Sequence, residues 1–277
     1  MRLIRYGEKG REKPGILREG RIVDLTAIFP DIPDINAEFF AKGWLEKVRA
    51  VQEAGVKTDV RIGSPITQPS KIICLGKNYA EHAKEGGFSQ PEHPMLFAKA
   101  PSALNGPFDP IVLPMSSSQV DWEVELAVVM GKAARRVAAA EAFDTIAGVT
   151  IMNDVSGRDV QFGDGQWFRG KSFDTFAPLG PALVTLDEIE AIDELRLTSR
   201  VDGEVMQQGN TGDMIFNIPF LIEYISKDIS LFPGDIISTG TPSGVGIFRE
   251  PPIVLKPGNV VECRIETIGA IKNPVVR

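Results

Sequence analysis

The chain has 277 residues, 43% hydrophobic and 24% charged, with 37 Asp and Glu against 30 Lys and Arg for a formal net charge of −7. That balance lacks the basic footprint nucleic acid demands, and no apolar run reaches the roughly 18 residues of a membrane span. The length is ample for a large core, with or without a smaller second domain.

The N-terminal stretch MRLIRYGEKGREKPG has no apolar core of a secretory signal, so the cytoplasm is the expected compartment. RLIRYG and GRIVDLTA read as short strands, with KPG and REG as turns between them. DINAEFFAKGWLEKVRAVQEAG has helical spacing, with Phe39, Phe40, Leu45 and Val48 on an irregular apolar stripe. RIGSPITQPSK is rich in Pro, Gly and Ser and reads as a linker. A small N-terminal domain over residues 1–65 and a larger one over 66–277 are therefore expected. KIICLG, DPIVLP, VDWEVELAVVMG and VTIMND follow as strands, and RRVAAAEAFDTIAG as a helix. In LRLTSRVDGEVMQQ, Asp202-Gly203 predicts a two-residue hairpin turn. Ile218, Leu221, Ile222 and Ile225 mark a helix, and GDIISTG and NVVECRIETIG close the chain as strands. Hairpins mixed with βα units predict a strand-rich α+β fold. Cys74 and Cys263 lie in apolar strand-like runs and read as core thiols, not a disulfide framework or zinc set.

The chemistry concentrates in VDWEVELAVV, residues 120–129. On a strand, Trp122, Val124, Leu126 and Val128 share one face, while Asp121, Glu123 and Glu125 share the other with Ala127 and Val129. Glu123 and Glu125 then stand roughly 6.5–7 Å apart in a sheltered place, where one must take up a proton unless a cation intervenes. A divalent cation resolves the repulsion, and Asp154, ending the apolar run VTIMND, is the candidate third ligand. With only two histidines in the chain, Mg²⁺ or Mn²⁺ suits this set better than Zn²⁺. Taken alone, two alternating glutamates also fit a solvated strand face.

GKNYAEHAKEGG reads as a short helix that Asn78 can cap and Gly86-Gly87 can stop. His82 and Glu85, three apart, share a face, and a carboxylate beside an imidazole keeps it oriented and basic. The flanking glycines suit a segment that opens and closes. Arg158 and Gln161 have the same spacing and can meet a substrate carboxylate and carbonyl. Lys171, among aromatics and prolines, can polarise a substrate oxygen or form a structural ion pair. STGTPSGVG is a glycine-rich loop able to present backbone N–H groups to an anion, but it is not a nucleotide P-loop.

Five ordered motifs, GKNYAEH, DWEVELAVVMGK, NDVSGRDVQ, GKSFDTFAPLGP and LFPGDIISTGTPSGVG, resemble the fumarylacetoacetate hydrolase family over roughly residues 70–265. The resemblance implies a mixed β-sandwich roll, a bound Mg²⁺ and a homodimer. It implies metal ligands at Glu123, Glu125 and Asp154, a catalytic dyad at His82 and Glu85, and substrate contacts at Arg158, Gln161, Lys171 and Thr241. The founding mammalian-type enzyme has a further aspartate ligand seven residues before its histidine, where this chain has Leu75. The site is thus expected to follow the shorter acylpyruvase-like branch.

The first expectation is a hydrolase that cleaves a C–C bond in an acylpyruvate or 2,4-diketo acid to release pyruvate. The second is an oxaloacetate decarboxylase, keto–enol tautomerase or dienedioate isomerase using the same metal-stabilised charge. A non-catalytic 2-oxo-acid or metal-binding protein is a third, which the His82–Glu85 pair disfavours, since mere binding has no need of a base. Phe88, Phe97, Gln166 and Trp167 are the candidates for shaping the acyl pocket.

Overall fold

A computed structural model describes all 277 residues. Its spine is the strand Val124–Met130, every residue of which is buried. The predicted alternation divides its side chains between two cores. Val124, Leu126, Val128 and Met130 join a cluster of 33 buried residues on one face. Ala127 and Val129 join a cluster of 22 on the other. A strand covered on both sides needs apolar residues at successive positions, as in LAVVM.

This strand lies inside a mixed sheet. The order runs Arg21–Asp24, Lys13–Arg18, Arg2–Tyr6, Ala177–Val184, Ile146–Asn153, Val124–Met130, Ile236–Ser238, Ile72–Gly76, Met95–Lys99. Ile236–Ser238 and Ile72–Gly76 run parallel, and the other neighbours in that order are antiparallel. A second sheet of five strands, Glu204–Asn210, Arg196–Val201, Val260–Ile265, Gly269–Val276 and Ile111–Val112, faces it. Leu197, Val261, Cys263, Ile265 and Ile271 of that sheet share the larger core with Val124, Leu126 and Val128. The helix Ile218–Asp228 closes this core with Ile218, Leu221, Ile222 and Ile225, capped where the Asn217 side chain accepts from Phe220 N at 3.0 Å. Both predicted core cysteines are buried and free. No helix is long and apolar enough to cross a membrane.

Residues 1–65 add their strands to the main sheet through Arg2–Tyr6, which pairs with Ala177–Val184. Phe39, Phe40 and Val48 lie over the smaller core with Cys74 and Ile236. Ile62–Gly63, inside the expected linker, pairs with Arg2–Tyr6.

Several local expectations are corrected. KPG is not a turn but part of the strand Lys13–Arg18, because Lys13 and Pro14 pair with Tyr6 and Arg5. The long helix over 34–55 is two short ones, Ala37–Ala41 and Trp44–Arg49, parted at Lys42-Gly43. RRVAAAEAFDTIAG yields only a 3-10 turn at Ala139–Thr145, since Ile146 already begins a strand. DPIVLP contributes two strand residues, Ile111–Val112. The strand expected over 120–131 breaks at Trp122-Glu123. There the Asn153 side chain accepts from Glu123 N at 3.0 Å, and Asp154 N donates to Glu123 O at 2.9 Å. The hairpin turn is as read, with Asp202 at φ 52° and Gly203 at φ 86°.

Candidate active site

Where Val124–Met130 begins and Ile146–Asn153 ends, three carboxylates converge. Glu123, Glu125 and Asp154 each offer an oxygen within 4.8 Å of the others, and all three are buried. Hydrogen bonds fix their positions. Glu125 accepts from Ser238 Oγ at 2.5 Å and from Gly240 N at 3.1 Å. Glu123 accepts from Arg158 at 2.6 Å and from Lys171 Nζ at 2.7 Å. Asp154 accepts from Lys171 Nζ at 2.8 Å and from Lys99 Nζ at 2.5 Å.

Their electrostatics diverge. Burial, then the negative charges of Asp154 and Glu123, raises the Glu125 carboxyl well above its ordinary range. Burial also raises Glu123, but Lys171 and Arg158 outweigh it and hold that carboxyl well below the usual range. Burial lowers the Lys171 ammonium, and Asp154 and Glu123 more than compensate. Of the two alternating glutamates, Glu125 is therefore the one that would carry the proton if no cation lay between them. A concave set of buried carboxylate oxygens is what a hard divalent cation selects, so these residues fit such an ion.

Two short helices deliver the cations. Arg158–Gly163 and Phe168–Lys171 pack closely because Gly170 has no side chain. A Cβ there would lie 2.6 Å from Gln161 N and 2.7 Å from Gly157 O. Arg158 donates to Asp121 at 2.7 Å and to Gln161 Oε1 at 3.0 Å as well as to Glu123. Three of its five N–H groups are thus used. Lys171 keeps one of its three donors.

The short helix Ala80–Glu85 forms the opposite wall. Its cap differs from expectation. Asn78 does not cap it; the Asn78 amide donates to Phe216 O at 3.0 Å and Thr239 O at 2.8 Å, and Asn78 Oδ1 accepts from Phe216 N at 2.8 Å. Gly86 ends the helix as read. His82 Nδ1 lies 3.3 Å from Glu85 Oε2, and Glu85 accepts from Gly244 N at 2.9 and 3.0 Å. The glycine-rich loop does present N–H groups to anions, and those anions are the protein's own Glu125 and Glu85. Thr241 donates its hydroxyl to Val124 O at 2.8 Å and accepts from Gln207 Nε2 at 2.8 Å.

One cleft is lined by His82, Glu123, Glu125, Arg158, Gln161, Lys171 and Thr241, with Lys77, Phe88, Phe97, Trp167 and Phe248 among its walls. Glu85 and Asp154 stand behind it, holding His82 and Lys171. Gln166 is exposed and lies off the lining. Sequence reading missed Lys99, Ser238 and Gly244. Lys99 left a signal of its own, a lysine inside the apolar strand MLFAK, while Ser238 and Gly244 lie in the glycine-rich loop that was singled out only as a whole.

The model for the fumarylacetoacetate (FAA) hydrolase C-terminal region matches residues 71–276, most of the chain. The chain belongs to the fumarylacetoacetate hydrolase family. It is 44% identical over 288 aligned residues to the mitochondrial oxaloacetate tautomerase FAHD2A of Bos taurus, covering 100% of this chain and 92% of that protein. Among solved structures it resembles a fumarylacetoacetate hydrolase from Exiguobacterium antarcticum, with a TM-score of 0.85 and 35% identity over 100% of this chain and 99% of the other. It also resembles 2-hydroxyhepta-2,4-diene-1,7-dioate isomerase from Mycobacterium marinum, with a TM-score of 0.76 and 36% identity over 100% and 98% of the chains. Members of this family are therefore enzymes of hydrolase, isomerase and tautomerase type, and the strand-rich α+β fold is theirs.

Proposed function

We propose that this member of the fumarylacetoacetate hydrolase family is a divalent-metal-dependent keto–enol tautomerase acting on a 2-oxo acid of the oxaloacetate type. The observation that carries the reading is the His82–Glu85 pair on the same cleft as the buried carboxylates Glu123 and Glu125 and the ammonium of Lys171. Full-length likeness to an oxaloacetate tautomerase supports it over cleavage of an acylpyruvate, the first expectation from sequence. Glu123, Glu125 and Asp154 would hold the cation, with Mg²⁺ preferred and Mn²⁺ acceptable to an all-oxygen set. When bound, it supplies Lewis-acid polarisation of the substrate's 2-keto oxygen.

The chain's own groups do the rest. His82, oriented by Glu85, takes a proton from C3 of the keto form. The C3–H pair becomes the C2=C3 double bond while the C=O π pair moves onto oxygen, which takes a proton from solvent as His82 gives its own back to solvent. The free donor of Lys171 and those of Arg158 stabilise the developing charge and orient the adjacent carboxylate. Phe88, Phe97, Trp167 and Phe248 supply apolar wall beside these polar groups. Run toward the keto form, the same steps occur in reverse.

The test is spectrophotometric conversion of enol-oxaloacetate with Mg²⁺ and with chelator. The expected result is metal-dependent ketonisation with no CO₂ or pyruvate released beyond the uncatalysed background. Stoichiometric pyruvate plus a second acid from acylpyruvates would instead establish the hydrolase reading, which the structural likeness to a fumarylacetoacetate hydrolase favours. CO₂ release would establish decarboxylation. A homodimer belongs to the same proposal, supported by the exposed stacked rings of Phe220 and Tyr224.

A further inference from the structure

Three lysine and arginine side chains line the cleft: Lys77, Arg158 and Lys171. Arg158 is paired with Asp121 and Glu123, and Lys171 with Glu123 and Asp154. Lys77 has no carboxylate within salt-bridge distance and makes no side-chain hydrogen bond. Its ammonium instead lies 3.7 Å over the centre of the Phe88 ring. Lys171 sits over a different ring, 5.0 Å from the centre of Phe97. The cleft thus holds two cationic heads on two aromatic walls, and only that of Lys77 is unmatched.

The backbone holds Lys77 at this place. It follows the last residue of the strand Ile72–Gly76 and adopts φ 58°, a left-handed conformation that a lysine rarely takes. The next residue, Asn78, is fully buried and bonded to Phe216 and Thr239, which fixes the turn. Phe88, beneath the ammonium, contacts Phe248 at 6.3 Å, and Phe248 lies 6.0 Å from His82. Lys77 therefore belongs to the wall that carries the base.

Charge balance indicates its use. The buried cluster has four carboxyl groups, Asp121, Glu123, Glu125 and Asp154, against three cations, Lys99, Arg158 and Lys171. A divalent cation with all four ionised leaves one positive charge, and the 1-carboxylate of a 2-oxo acid cancels it. A second carboxylate on the substrate would then be uncompensated in the cluster, and the unmatched cation on the cleft wall is Lys77.

We propose that Lys77 is a specificity-determining residue that binds the distal carboxylate of a dicarboxylic 2-oxo acid, so that the enzyme selects dianionic over monoanionic substrates. This rests on the reading of the cleft as a 2-oxo-acid site. Two ligands test it, oxaloacetate and its 4-ethyl monoester, which differ in the distal charge. Their affinities for the Mg²⁺-loaded protein are measured by calorimetry, beside the KM and kcat of keto–enol conversion. Lys77→Met should weaken oxaloacetate binding and raise its KM about 10- to 100-fold, the effect of losing one charge-assisted hydrogen bond. Affinity for the monoester should be unchanged, and Lys77→Arg should restore most of the loss. Lys84→Met, at an exposed lysine of the helix Ala80–Glu85 that does not line the cleft, should alter neither ligand.

Equal weakening of both ligands by Lys77→Met, or of neither, overturns the assignment and leaves the tautomerase reading intact. Wild-type protein that binds both ligands but interconverts neither overturns the tautomerase reading, and the two affinities still decide Lys77. Wild-type protein that binds neither overturns both.

Discussion

Lys99 shows how much a single buried side chain contributes to this site. Its ammonium is inaccessible to solvent and bonds Asp154 at 2.5 Å and Val155 O at 3.1 Å. Lys99→Met keeps the length of the side chain but leaves Asp154 with Lys171 as its only cationic partner. The expected loss is about 3 kcal/mol of unfolding free energy, the low end for a broken buried pair, because Lys171 remains. Urea unfolding of the two proteins measures it, and coincident curves would show that Asp154 is held without Lys99. Glu85→Gln is a different kind of change. Glutamine can still accept from Gly244 N, but it loses the charge that orients His82. Turnover should fall about 10- to 100-fold with KM little altered, and His82→Ala should reach about 10²- to 10⁴-fold. Steady-state kinetics with oxaloacetate provides the check; a KM effect alone would place the pair in binding instead of proton transfer.

The loop after Ile236–Ser238 is the element that assembles the site. Ser238 and Gly240 hold Glu125, Thr239 and Thr241 bond back to Leu126 O and Val124 O, and Gly244 holds Glu85. It joins the strand that carries Glu125 to the helix that carries His82 and Glu85. Gly244 can do this because it adopts φ 105° with its Cα facing the backbone of Met206. An added Cβ would fall 2.1 Å from Met206 O. Gly244→Ala must therefore move the loop, at a cost above about 1 kcal/mol, and with it the N–H on Glu85. A lowered melting temperature together with a fall in kcat is the expected result. A lower melting temperature with full activity would show that Glu85 is positioned by its own helix alone.

The whole molecule is held by the insertion of its N-terminal strands into the main sheet. Leu3 and Ile4 are fully buried, and Leu3 shares a core with Leu179, Leu183 and Met152. Deleting residues 1–65 would strip the cover from that core and free the edge of Ala177–Val184, so the truncated chain should be recovered insoluble. A soluble, cooperatively melting 66–277 fragment would show the opposite, that the larger unit folds alone. At the chain's start, the Met1 amine bonds Thr185 Oγ1 at 2.7 Å and pairs with Glu188 at 2.5 Å, and Arg49 reaches Asp187 at 2.9 Å. Burial is the largest single influence and raises the Asp187 carboxyl, but hydrogen bonds to Thr185 and Arg49 and the charges of the amine and Arg49 together outweigh it and lower the carboxyl to about 2. A depressed acid stabilises the fold above its unfolded pKa of about 4, and that contribution disappears as pH falls toward 2. Because Asp187 is half exposed, Asp187→Asn should cost only about 0.5 kcal/mol at pH 7 and nothing near pH 2. Thermal melts of the pair at the two pH values test the sign.

The elements whose periodicity is set by their own burial were legible in the sequence. Val124–Met130, Ile218–Asp228 and the Asp202-Gly203 hairpin follow from alternation, from apolar residues three and four apart, and from a turn that demands positive φ. So were the residues whose chemistry is costly without a partner: two buried glutamates two apart, a histidine three from a glutamate, an aspartate ending an apolar run. Segments decided by distant neighbours were not legible. The stretch 135–148 is helical by composition, yet Ile146–Asn153 is recruited into the sheet between Val124–Met130 and Ala177–Val184. Asn78 has the residue type of a helix cap, but two loops more than 130 residues away offer its amide better partners. Lys99, Ser238 and Gly244 reach the site from positions 55 to 159 residues distant from the groups they hold. A hydrogen bond depends on proximity in space, and proximity over such separations exists only once both cores have closed.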